Sequence, residues 1–315
     1  MNVTVVGLGL IGGSVLRALD ASGHQVIGYD ADPDTREAAD GEGFTTATSI
    51  AEAVEGRDLV VLAVPLPALP PVVDELRGFP GLITDVTSVK GPVRALSVDL
   101  PRFVGGHPMA GKESSGFAAS EAALFTGCSW VLCLEPGETG LDDWLTLAAL
   151  VTGLGARVVP ITAGEHDRAV AQVSHVPHLF ATALAGQLEG NPLAGALAAG
   201  SFRDGTRVAA TRAELIAAMC GGNASAVGTE LDRLISELQE VRGLLASADP
   251  VEALVPALRP AVALRRAWPS RAGDVIELPL EIGPLLELGR AGGWVAAVNG
   301  RTVEAIRPES DRNTP

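Results

Sequence analysis

The fold class predicted by this 315-residue sequence is α/β: a parallel sheet first, an all-helical stretch second and a short β-α-β-β extension last. Three observations predict it. From Asn2 to about Pro160, short apolar runs alternate with helix-forming runs, as expected of strands covered on both faces by helices. Residues 164–246 then hold no strand-like run, only Ala- and Leu-rich helical periodicity. Strand patterning returns at 274–308.

Taken in order, VTVVG (3–7) reads as a buried strand and Leu10 to Ala21 as a helix. HQVIGYD (24–30), DLVVLAVP (58–65), GLITDV (81–86), RFVGG (102–106), SWVLCL (129–134) and ARVVPI (156–161) follow as strands. GGHPMAGKESSGF (105–117), punctuated by Gly105, Gly106, Gly111 and Gly116, reads as irregular backbone. In 227–245, Leu231, Leu234, Ile235, Leu238, Val241 and Leu245 share one helical face, the mark of a core or of a helix–helix interface. Residues 248–273 are Pro-punctuated and end as a polar linker, and 274–308 read strand–helix–strand–turn–strand with a hairpin at Asn299-Gly300. So small a piece cannot stand alone and is expected to dock on the body or on a partner. ESDRNTP (309–315) reads as a disordered tail. The division expected is 1–162, 163–270 and 271–315.

A net charge of −15 argues against nucleic acid or an anionic membrane surface as partner. It leaves small anionic substrates open, since local groups decide what a pocket binds. Cys128, Cys133 and Cys220 lack metal-ligand spacing and suit a reducing, cytoplasmic setting. No long uncharged apolar run or basic leader is present, so neither a membrane span nor a signal peptide is predicted. Lysine is scarce: only Lys90 and Lys112 occur.

VVGLGLIGGS (5–14) places Gly7, Gly9 and Gly12 as G-x-G-x-x-G between a strand and a helix. Gly7 permits the turn, Gly9 lets backbone approach a pyrophosphate, and Gly12 lets helix and strand pack. The pyrophosphate would rest on the helix N-terminus, beside Leu8, Leu10 and Ile11, with Val64 of the third strand nearby. Asp30 ends the second strand, placed to accept from the adenosine ribose hydroxyls. Its charge would repel a 2′-phosphate, and Ala31 offers no cation for one, so NAD is preferred to NADP; Arg36 is the nearby cation that bears on this.

Four further segments carry polar residues that a core would not choose: TDVTSVKG (84–91), GGHPMAGKESSGF (105–117), SHVPHL (174–179) and SFRDGTRVA (201–209). With GLGLIGGS they resemble, in this order, the prephenate/arogenate dehydrogenase family of tyrosine biosynthesis, over roughly residues 1–245. The resemblance implies a Rossmann-type NAD(P)-binding domain, then an all-helical dimerisation domain, with the active site in the cleft between them and a homodimer as the assembly. It implies oxidative decarboxylation of a cyclohexadienol, without metal. His107, in G-G-H-P, is implied as the proton acceptor, a role that suits neutral imidazole. Ser88 is implied as the group orienting the substrate hydroxyl, though a Ser opening a helix also serves as an N-cap. Arg207, ending FRDGTR, is implied as the bidentate carboxylate anchor, with His178 near the substrate side chain. Arg203 reads as structural. Glu113 and Asp204 match acids that govern access to the site, and Lys112 and Lys90 add local positive charge.

His175 and His178, three apart, fall on one helical face, and Pro177 between them is expected to kink the helix. An H-x-x-H metal site would need a third ligand, which the sequence does not supply. Thr87 stands where many relatives have Gly. Prephenate, arogenate and an amino-deoxyprephenate are the candidate substrates. A dinucleotide sensor would not need His107, Ser88 and Arg207 together, and a β-hydroxyacid dehydrogenase would carry a lysine in its helical domain, which this chain lacks.

Overall fold

The computed structural model describes residues 1–112, 114–269, 272–300 and 302–308. Two compact units emerge: Met1–Asp167 with Asp274–Arg307, and Arg168–Gly273 with Pro308.

The first unit contains two sheets. β1 (Asn2–Val6), β2 (Gln25–Tyr29), β3 (Leu59–Leu62), β4 (Leu82–Asp85) and β5 (Phe103–Val104) form one, in the order β2-β1-β3-β4-β5. Every pairing in it is parallel. Val3, Val5 and Val6 of β1 and all of β3 are buried, as near-continuous apolar strands require. The second sheet takes β6 (Gly106–Pro108), β7 (Ser129–Cys133), β8 (Arg157–Ile161), β9 (Ala272–Pro279), β10 (Trp294–Asn299) and β11 (Thr302–Pro308), in the order β6-β7-β8-β10-β11-β9.

Two features differ from the sequence reading. The run RFVGG is not one strand: Gly105 breaks it, and the chain re-enters as β6, antiparallel to β7 with His107 opposite Val131. His107 therefore sits on a short strand and not in irregular backbone. Glycine makes this possible, because a Cβ at Gly106 would lie 2.6 Å from the Asp85 carbonyl oxygen. The other difference is the extension, which belongs to the first unit. β10 pairs antiparallel with β8, and Leu285, Leu288, Val295 and Val303 join the core that holds Val3, Leu16 and Trp144. The helix Ile282–Arg290 lies so close to β8 that a Cβ on Gly289 would meet the Pro160 carbonyl at 2.0 Å. β10 and β11 form a hairpin in which Asn299 still pairs with Thr302, so the turn begins one residue later than predicted, at Gly300. The tail 309–315 lies outside the described residues.

The second unit is helical. Ala171–His175 form a π turn that leads directly into the helix Val176–Gly186. Pro177 stands in the first turn of that helix, where its missing N–H is tolerated. Long helices run over Ala224–Leu245 and Pro250–Ala267, the latter with Pro256 and Pro260 inside it. Leu231 and Leu234 pack against the cluster of Ala171, Val176 and Val227, whereas Ile235, Leu238 and Leu245 of the same predicted face are exposed.

Candidate active site

The carboxyl ends of β1 to β4 lie along one edge of the parallel sheet, the edge where such folds bind ligands. After β1, Gly7 has φ of 95° and donates to Tyr29 O at 2.7 Å. A Cβ on Gly12 would lie 1.8 Å from Gly7 O, so only glycine lets the helix Leu10–Ala21 pack this tightly. At Gly9 nothing stands within 4 Å of such a Cβ, which leaves the backbone open to a close-approaching group. Gly9 caps the helix without a side-chain bond, so the first-turn N–H groups of Leu10, Ile11 and Gly12 have no intrahelical acceptor. This cradle fits a pyrophosphate. Leu8 contributes differently: its side chain is buried, and its N–H donates to Asp30 Oδ2 at 2.7 Å. Asp30 Oδ1 accepts from Asp32 N at 2.9 Å. Arg36 is engaged by backbone, donating to the carbonyls of Asp30 at 2.6 Å and Ala31 at 3.3 Å. Val64, past β3, stands against Gly7.

After β4 comes a buried ion pair. Asp85 and Lys90 are essentially inaccessible, and the Lys90 ammonium contacts Asp85 Oδ2 directly. It also donates to Thr87 Oγ1 at 3.0 Å and to Gly106 O at 2.7 Å. Asp85 Oδ1 accepts the Gly106 N–H at 3.1 Å. Both backbone groups of the residue before His107 are thus clamped by one pair of opposite charges. A buried pair survives only with its remaining hydrogen-bonding capacity filled, and Thr87 helps fill it: its N–H and hydroxyl both face Asp85 Oδ2.

His107 Nδ1 lies 2.8 Å from His166 Nε2, and His166 Nδ1 lies 2.7 Å from Asp167 Oδ1. The Asp167 carboxylate also accepts from Lys90 N at 2.8 Å and Gly91 N at 2.7 Å. His166 is fully buried. Burial pushes its imidazolium down, the bond to Asp167 opposes this, the Lys90 charge reinforces it, and the balance lies below the usual histidine value. For Asp167, burial would raise the carboxyl, but the bonds from His166 and the two backbone N–H groups outweigh it and lower the pKa. Sequence reasoning missed both residues. The available signal was the scarcity of histidine, with His166 followed at once by an acid.

Ser88 follows Thr87 and is half-buried, while the helix Gly91–Leu96 has Lys90 at its N-cap position and no side-chain cap, so Ser88 is not used as one. Lys112 pairs with Glu121 at 2.7 Å. Glu113 lies outside the described residues. In the helical unit His178 and Arg207 come together: burial lowers the His178 pKa, a hydrogen bond with Val208 backbone opposes this, and the Arg207 charge adds to the lowering. His175 instead turns into the core, its Nδ1 3.2 Å from Asn223 Nδ2. Arg203 and Asp204 are exposed. Among the described residues no cluster of three His, Cys, Asp or Glu is arranged for a metal, and no helix is long and apolar enough to cross a membrane.

A glycine turn with its acid after β2, at the carboxyl edge of a parallel sheet, defines a dinucleotide-binding fold, and the Asp85–Lys90 pair at the end of β4 holds a histidine beside it. Comparison with known proteins narrows the class. The chain belongs to the prephenate dehydrogenase family: that family's nucleotide-binding domain matches residues 15–160 and its dimerization domain residues 162–259. It is 32% identical to the prephenate dehydrogenase of Lactococcus lactis over 66% of this chain, a match that spans 61% of the relative's length. It is 34% identical to the cyclohexadienyl dehydrogenase of Zymomonas mobilis, over 79% of this chain and 89% of that one. Among solved structures, the prephenate dehydrogenase of Aquifex aeolicus with hydroxyphenyl propionate and NAD+ superposes with a TM-score of 0.76. That match has 28% identity and covers 84% of this chain and 97% of that one.

Proposed function

We propose that this chain catalyses the NAD-dependent oxidative decarboxylation of prephenate to 4-hydroxyphenylpyruvate, in tyrosine biosynthesis. One observation carries the reading: the carboxyl edge of the parallel sheet carries the Gly7–Gly12 cradle, Asp30, Val64 and Ser88, and the Asp85–Lys90 pair at that edge binds both backbone groups of Gly106, next to His107. NAD, when bound, supplies the hydride acceptor at its nicotinamide. The first-turn N–H groups of Leu10, Ile11 and Gly12 hold the pyrophosphate, and Asp30 accepts from the adenosine ribose. Because Arg36 is already engaged by carbonyls, it is not available to a 2′-phosphate, and NAD is favoured over NADP.

His107 accepts the proton of the ring hydroxyl, and Ser88 orients that hydroxyl towards it. Carbon dioxide leaves as the ring becomes aromatic, which supplies the driving force and lets a weak base suffice. Arg207 anchors a substrate carboxylate in bidentate fashion, His178 borders the side chain as a neutral ring, and Lys112 and Glu113 act at the entry. The protein works as a cytoplasmic homodimer, a reading supported by the apolar row of Ile235, Leu238 and Leu245 left exposed on the helical unit.

The test offers purified protein prephenate or arogenate, each with NAD+ or NADP+, and follows reduced cofactor. Turnover of prephenate with NAD+ is expected; no turnover in any of the four mixtures overturns the proposal. His107→Asn should cost about 10²–10⁴-fold in turnover, and full activity in that variant removes His107 from its role.

A further inference from the structure

We infer that His166 and Asp167 are positioning residues for the reaction: together they select the tautomer of His107 and support the charge it acquires. The inference rests on the reading of His107 as proton acceptor.

The fixed end of the chain of contacts is Asp167. The Asp167 carboxylate receives two backbone N–H groups, from Lys90 and Gly91. Backbone N–H can only donate, so this carboxyl is held as an acceptor. His166 Nδ1, 2.7 Å from it, must then carry the hydrogen and donate. A fully buried ring beside the Lys90 ammonium stays neutral, so His166 Nε2 presents a lone pair. His107 Nδ1, 2.8 Å from that lone pair, must in turn be the N–H form. The lone pair of His107 is thereby placed on Nε2, the atom facing away from His166. A histidine whose one nitrogen is fixed by a hydrogen bond has its other nitrogen's role fixed as well.

When His107 Nε2 takes up the hydroxyl proton, the new positive charge is shared through the Nδ1–H bond with His166 and lies two contacts from the Asp167 carboxylate. Among the described residues, Asp85 and Lys90 at the end of β4 also act on His166, with charges that largely offset one another, and the buried Cys133 of β7, near Asp167, stays neutral because burial pushes its thiol well up. The carboxylate in direct contact with the pair is that of Asp167, and its negative charge raises the basicity of His107.

Two measurements test this. The first uses the wild-type protein with nitrogen-15 histidine and long-range proton–nitrogen correlation, the His107→Asn spectrum supplying assignment among the five histidines. His166 is expected as the neutral Nδ1–H form from pH 6 to 8, and His107, at the alkaline end, likewise as Nδ1–H. A His107 in the Nε2–H form overturns the inference. The second compares Asp167→Asn, His166→Leu and His166→Gln by kinetics, with NAD+ binding and circular dichroism as checks of folding. Asp167→Asn and His166→Leu should lower kcat about 10–100-fold with little change in KM, while His166→Gln, whose amide oxygen can accept from His107, recovers part of the loss. The acidic limb of the kcat/KM profile should move down by about one pH unit in the first two, because a less supported His107 is a weaker base. An unmoved limb and wild-type kcat in folded His166→Leu overturn the inference while leaving His107 in place. Full turnover by His107→Asn would instead overturn the reading beneath it.

Discussion

Two pairs of histidines invite comparison, one in each unit. In the nucleotide-binding unit, half-buried His107 meets buried His166, which rests on the carboxylate of Asp167. In the helical unit, buried His175 meets the neutral amide of Asn223, while His178 lies beside Arg207. The first pair is separated by 59 positions in the chain, and the second by only three. Proximity in sequence thus joins the pair whose rings serve different ends, and tertiary structure joins the pair that shares a hydrogen bond. What separates them electrostatically is the terminal group: a carboxylate supports a charge on its histidine, whereas an amide only orients one.

The largest expected effect comes from undermining the first pair. Lys90→Met leaves Asp85 buried without its cation and frees the Gly106 carbonyl, so it should cost about 3–5 kcal/mol of stability in a denaturant titration. If stability is unchanged, the clamp on His107 is not what the ion pair provides. Next, Arg207→Lys keeps charge but loses the planar fork. The KM for prephenate should rise about tenfold or more, reflecting about 1.5–3 kcal/mol in a charged hydrogen bond, with kcat less affected. An unaltered KM would take the second unit's cation out of substrate binding. His175→Gln sharpens the contrast with His166: a loss of about 1–3 kcal/mol is expected from a buried polar group left short of partners, with the acidic limb of kcat/KM unmoved. A shifted limb would make the two pairs alike after all.

The smallest effect concerns Glu165, one residue before the network. Burial opposes its ionisation, but Arg290 at 2.6 Å and the N–H and hydroxyl of Thr162 more than compensate, and its pKa falls from 4.5 to about 2. A depressed carboxyl stabilises the fold above its unfolded pKa and loses that contribution as pH falls from about 4.5 through about 2. Arg290→Ala should therefore raise the Glu165 pKa in a carboxyl-resolved NMR titration. Half-exposed Arg290 limits the stability loss at neutral pH to about 0.2–1 kcal/mol.

Much of this was legible in the amino-acid order. Spacing alone marks Gly7, Gly9 and Gly12, because a strand–helix turn with a close approach has few solutions. His107, Ser88 and Arg207 stand out through local motifs. The extension's strand–helix–strand–strand order is plain from periodicity. What periodicity does not encode is pairing between distant strands, so the docking of β10 on β8 and the break at Gly105 were hidden. For the same reason the partnership of His107 with His166 was hidden, and so was the task of Lys90, whose three acceptors come from Asp85, Thr87 and Gly106.

The place of the extension has a consequence for how this molecule is made. β1 is translated before the helical unit, yet the second sheet lacks β9, β10 and β11 until the whole helical unit has been translated. Until then the flank of β8 and the apolar seats of Leu285, Leu288 and Val295 are uncovered, an open strand edge of the kind that invites wrong pairing in a nascent chain. The unit that houses His107 is thus completed only by residues that follow the helical unit in the chain.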